Sequence, residues 1–127
     1  MSEKKSEKQT GLVMVCVTRQ RQCEQLIRRG AELAQQEKLD LMVVNVQRPG
    51  YLQGEDAELL DYLMEVTRRV GGELQVLYDQ EPIARLVRYA RENPVRAMVL
   101  GHAPEGETPL AAAVKQALPQ LLLVQVP

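Results

Sequence analysis

Five short runs of aliphatic and β-branched residues, at 12–17, 41–46, 73–77, 97–100 and 121–126, constrain this chain more than any other feature. In Leu12-Val13-Met14-Val15-Cys16-Val17 and Leu41-Met42-Val43-Val44-Asn45-Val46 apolar residues do not alternate with polar ones. Strands of that kind are buried on both faces, which happens when helices cover both sides of a parallel sheet. The segments between them have a helical period. From about Gln20 to Lys38 the apolar positions are Cys23, Leu26, Ile27, Gly30, Leu33 and Ala34. Gly30 falls on that inner stripe and reads as a packing residue that lets the helix approach the sheet. Leu59, Leu60, Leu63, Val66, Thr67 and Val70 mark a second helix between Glu55 and Gly71-Gly72, and Ile83, Leu86, Val87 and Ala90 a third, closed by Asn93-Pro94. Thr108 followed by Pro109 is an N-cap with first-turn proline, and Pro119 closes this fourth helix. Strands alternating with helices in this way predict an α/β fold: a small doubly wound, five-stranded parallel sheet with helices on both faces.

Its 127 residues suit one core. The reading is a disordered tail over 1–10, of mixed charge, and one domain over 11–127. A net charge of −1 gives no broad attraction for nucleic acid or anionic lipid, and with no Trp or Phe the chain lacks stacking platforms for bases. The longest apolar run, Leu12 to Val17, is far short of a bilayer span, and the opening residues carry no signal-peptide centre. The expectation is a cytoplasmic protein with neither nucleic-acid nor membrane partners. Cys16 and Cys23 have no CxxC spacing, and His102 is the only histidine, so no zinc site is expected; two buried thiols are.

In a doubly wound sheet ligands bind beyond the carboxyl ends of the strands at the topological switch point, here between the first and fourth strands. The loops to inspect are Thr18–Gln22 and Gly101–Glu107. Gly101-His102-Ala103-Pro104-Glu105-Gly106-Glu107-Thr108 has the glycine spacing of a phosphate loop, but Glu107 stands where its lysine belongs. No glycine follows the first strand, which excludes a dinucleotide fingerprint. Asp79 reads as a turn residue, because the acidic pair of a phosphoacceptor domain is replaced by Val17 and Thr18. No serine occurs after Ser6, so a hydrolase triad has no parts. The acidic residues Glu55, Asp56, Glu58 and Asp61 suit the start of a helix.

Leu12–Val17, Gln25-Leu26-Ile27-Arg28-Arg29-Gly30-Ala31-Glu32-Leu33-Ala34, Val43-Val44-Asn45-Val46, Ile83–Glu92 and Met98-Val99-Leu100-Gly101 together resemble a universal stress protein domain. The likeness is to the divergent cytoplasmic version found in potassium-sensing histidine kinases, and it spans residues 11–127. It implies strand order 3-2-1-4-5 and a stress-related or regulatory role; the absence of catalytic parts agrees with that, and the expectation is a non-enzymatic module acting through protein contacts. In nucleotide-binding members an aspartate ends the first strand, and a G-x-x-G loop and later a Gly-Ser/Thr pair follow the fourth. Here Thr18 replaces the aspartate, Gly101 matches the first glycine, Pro104 takes the second and Thr108 matches the hydroxyl. The implied pocket is therefore degenerate, formed by Thr18, Arg19, Val46, Gly101, His102, Gly106 and Thr108, with Arg19 or Arg21 nearest to any phosphate. The expectation is no cofactor; the alternative is a sensor of ATP, AMP or a cyclic dinucleotide. The resemblance also implies a homodimer through the last strand, alongside a signalling protein partner. Val15, Val17, Val43, Val44, Val99 and Leu123 are expected to be mostly buried, and Gln125 to face solvent.

Overall fold

The computed structural model describes residues 11–17, 23–50, 54–102 and 106–127; the expected tail over 1–10 lies outside them. Strands β1 (Leu12–Cys16), β2 (Asp40–Gln47), β3 (Glu73–Tyr78), β4 (Val95–Gly101) and β5 (Leu122–Val126) alternate with helices α1 (Cys23–Glu37), α2 (Gly54–Arg69), α3 (Pro82–Glu92) and α4 (Pro109–Ala117). Every pairing is parallel and the order is β3-β2-β1-β4-β5. This is the doubly wound sheet that the apolar runs predict, in the order the resemblance implies.

Alternate residues of the strands enter two cores. Val13, Val15, Val17, Val43 and Val99 meet Leu26, Ile27 and Leu33 of α1 and Leu63 and Val66 of α2. Met14, Cys16, Val44, Met98 and Leu100 meet α3 and α4 through Leu86, Val87, Ala90, Ala111 and Val114. Leu123 is less deeply buried than the other residues expected in the core, because the outermost strand has a neighbour on one side alone. Cys16 and Cys23 are buried in different cores and in no disulfide, and burial pushes the Cys16 thiol up to about 12.

Local chemistry sets the helix ends. The sequence pattern carries α1 through Lys38, but the helix stops at Glu37, where Lys38 turns into the left-handed region at φ 58° and Leu39 N–H donates to Ala34 O at 2.8 Å. The Asn93 side chain donates to Tyr89 O at 2.9 Å and closes α3 before Pro94. Tyr62 Oη of α2 donates to Glu24 Oε1 of α1 at 2.9 Å. That bond, with the Arg28 guanidinium, holds the Glu24 carboxyl below its usual range. The tie therefore stabilises the fold above the ordinary carboxylate range and is lost as pH falls through the lowered value.

Two substitutions test this packing. Val44 is fully buried at the centre of the second core, so Val44→Ala should cost about 1–3 kcal/mol through lost burial and an incompletely collapsed void, read from denaturant unfolding. Thr67 is 1% exposed, and its Oγ1 is enclosed without a hydrogen-bond partner among the described residues. The isosteric Thr67→Val should therefore stabilise the protein by about 1 kcal/mol, seen as a higher unfolding midpoint at unchanged slope.

Candidate functional site

β1 ends between β2 and β4, and the carboxyl ends of these three strands lie side by side. Val17 N–H continues the ladder to Val44 O at 3.1 Å. The carbonyl of Val17, the last described residue before position 18, is taken up by Asn45 Nδ2 at 3.0 Å. Asn45 Oδ1 in turn accepts from Gln47 Nε2 at 2.6 Å. Both amides are buried, at 2% and 8% exposed, so this chain of bonds is a dry, satisfied network bracing the end of β1 against β2. Sequence reasoning missed the pair. The available signal was an amide at Asn45 inside an apolar run, on the same side of the strand as Leu41 and Val43.

Four of the seven expected residues, Gly101, His102, Gly106 and Thr108, lie between the end of β4 and the start of α4. Gly101 pairs with Val126 in the β4–β5 ladder, and the next N–H, of His102, donates to Val126 O at 2.8 Å while the imidazole stays exposed. Gly106 has φ 124°, a backbone shape that L side chains rarely adopt. Thr108 caps α4 as expected, its Oγ1 accepting from Ala111 N–H at 3.1 Å, and its carbonyl accepts from Ala112 N–H. Glu107 forms an ion pair with Lys115, about two helix turns onward. Val46 lies on β2, separated from this loop by β1, and its side chain packs toward the α3 and α4 core. Thr18 and Arg19 lie outside the described residues, as do Arg21, Pro104 and Glu105. Asp79 is the turn residue expected: its Oδ1 accepts from Glu81 N–H at 2.8 Å, and its own N–H bonds Gln47 O.

These interactions limit what the edge can do for an anion. A helix start attracts phosphate through its unpaired N–H groups. Here Pro109 has none and the Ala111 N–H is already bonded to Thr108. The cation nearest the start of α4 along its own sequence, Lys115, is neutralised by Glu107. Among the described residues no group of His, Cys, Asp and Glu is placed to hold a metal ion, and no described helix is long and apolar enough to cross a membrane. A groove of about 1060 Å³ opens at the opposite, amino edge of the sheet, lined in part by Leu12, Lys38, Leu41 and Gly71.

Removing the amide from Asn45 should show what the network is worth. Asn45→Ala strands the Val17 carbonyl and Gln47 in a dry interior, and should destabilise the fold by about 1–3 kcal/mol. Amide hydrogen exchange should quicken at Val17 while staying slow at Val43, deeper in the sheet.

Comparison with known proteins yields structures alone, for no family model and no curated protein matches the sequence. A universal stress protein from Archaeoglobus fulgidus is similar over 100% of both chains, with TM-score 0.75 and 20% identity. The universal stress protein UspA from Lactobacillus plantarum is similar over 94% of this chain and 99% of its own, with TM-score 0.76 and 15% identity. A universal stress protein from Archaeoglobus fulgidus in complex with dAMP is similar over 94% of this chain and 98% of its own, with TM-score 0.65 and 21% identity. Further structures of this kind hold cAMP or AMP. With the strand order and helix layers described above, these likenesses establish that the chain has the universal stress protein fold.

Proposed function

We propose that this chain is a regulatory, universal-stress-like module that acts through protein contacts rather than by turnover, with a degenerate nucleotide pocket at its carboxyl edge. The observation that carries this reading is that, among the described residues, three polar interactions at that edge are made within the chain. Asn45 serves Val17, Thr108 serves Ala111, and Lys115 serves Glu107. A catalytic or tight-binding site keeps such groups poised for a substrate. The likeness of the sequence to the version in potassium-sensing histidine kinases supports a cytoplasmic setting and a signalling protein as partner. The same reading pairs two copies of the chain through β5, an edge strand whose Leu122 is 54% exposed and which carries no charge.

A second reading is a sensor of an adenine nucleotide at the β1/β4 switch point. The dAMP, AMP and cAMP complexes of similarly folded proteins favour it. Mass spectrometry of freshly purified protein, followed by calorimetry with ATP, AMP and a cyclic dinucleotide, separates the two. The expected result is no retained nucleotide and ATP binding weaker than micromolar. A micromolar or tighter complex replaces the first reading by the second, and phosphate release from ATP overturns the non-enzymatic assignment. If a nucleotide binds at this edge, an Arg19→Ala/Arg21→Ala double variant should weaken it.

A further inference from the structure

We propose that Gln125 selects the register in which two copies of this chain pair through β5. The inference rests on the self-association proposed above and adds how one alignment is chosen over its neighbours. Gln125 is the single polar residue of Leu122–Val126. It pairs across the ladder with Leu100 and so lies on the α3 and α4 side of the sheet, together with Leu123. It does not face solvent, as its place in the sequence suggests: the residue is half-buried, and its Oε1 is enclosed with no hydrogen-bond partner among the described residues. An amide oxygen shut away without a donor is unfavourable, and a half-buried glutamine can turn about its terminal torsions to reach one beyond the strand edge.

Antiparallel pairing about a two-fold axis at Val124 matches the whole strand with itself. Leu122 then lies opposite Val126 of the other copy, on the face away from Gln125, and Leu123 lies opposite its Gln125. The two Gln125 residues sit diagonally across the axis on one face, a separation of about 7–8 Å that long side chains bridge. Each Nε2–H can donate to the other Oε1, which gives both enclosed oxygens a donor. An axis at Leu123 carries the two amides out of reach. An axis at Gln125 brings them together but leaves only Val124, Gln125 and Val126 of each strand paired. Apolar neighbours such as Leu121, Leu122 and Leu123 discriminate poorly between alignments, whereas only the axis at Val124 combines a reciprocal amide pair with pairing of the whole strand.

The test uses the full chain. Sedimentation of the unmodified protein at micromolar concentration should show a dimer. Val124→Cys should then form a disulfide under mild oxidation, because residue 124 faces its own copy, and the buried Cys16 and Cys23 should not compete. In a Gln125→Met background, similar in length but without the amide, cross-linking should fall about fivefold, the weight of a lost hydrogen bond. With Val124 intact, Gln125→Glu should weaken the dimer about tenfold by placing two carboxylates across the axis, with the circular dichroism of the fold unchanged. A monomer overturns the self-association itself. A dimer in which Val124→Cys stays reduced overturns the register, and equal cross-linking with Gln125 or Met at that position overturns the role of Gln125.

Discussion

Helix α1 lies against the sheet at a distance that only a residue without a side chain allows. A Cβ on Gly30 would stand 2.3 Å from Cγ2 of Val15 and 3.2 Å from a Leu41 methyl, so any other residue pushes the helix off β1. Much follows from this contact. It brings Leu26, Ile27 and Leu33 down onto Val13, Val15 and Val43, sealing one face of the central strand. With that face closed, the end of β1 cannot be solvated from the α1 side, and its carbonyl at Val17 must find an internal donor, which Asn45 provides. A close approach at the middle of the helix thus fixes the chemistry at the end of the strand.

The elements were legible in the sequence because both faces of the inner strands are covered, and such strands announce themselves as uninterrupted apolar runs. Thr108-Pro109 and Asn93-Pro94 were equally plain, since cap and proline chemistry is local. What was not legible depends on neighbours remote in sequence. Asn45 reads as one polar residue in a strand, and its bond to Val17 spans 28 positions. Lys38 reads as a helical residue because nothing local forbids it, while the stop comes from the Leu39 bond back to Ala34 and from the burial of Leu39. Leu123 is covered less than the inner-strand residues and Gln125 was misread as solvent-facing for one shared reason. The pattern of a strand does not tell how much of it its neighbours cover.

Of the candidate site, the sequence identified the loop after β4 and the hydroxyl of Thr108, and both stand at the carboxyl edge. Its reading of Thr108 as an N-cap is what the structure shows, but it gave no hint that Lys115 would neutralise Glu107. An ordinary N-cap and a phosphate-binding hydroxyl have the same residue in the same place. They differ in what the oxygen faces, and here it faces Ala111 N–H. The acidic residue beside it matters as much. Glu107 at the start of α4 is well placed for the helix dipole but badly placed for an incoming anion, so the charge that stabilises the helix opposes the ligand.

The two edges of the sheet are built differently, and the difference bears on which one another chain can meet. On β3, Glu73 and Gln75 are exposed and point to the α3 side, so a strand approaching there has to strip water from a carboxylate and an amide. On β5 the exposed side chain is Leu122, and Leu123, Val124 and Val126 are incompletely covered. A chain arriving at β5 releases water from apolar surface and displaces none from a charge, which favours association there over β3. Apolar surface alone would accept a strand in any alignment. In the pairing proposed above, the single amide of Gln125 gives this edge a preferred partner geometry, because its enclosed oxygen, without a donor among the described residues, gains one where a second amide arrives within reach.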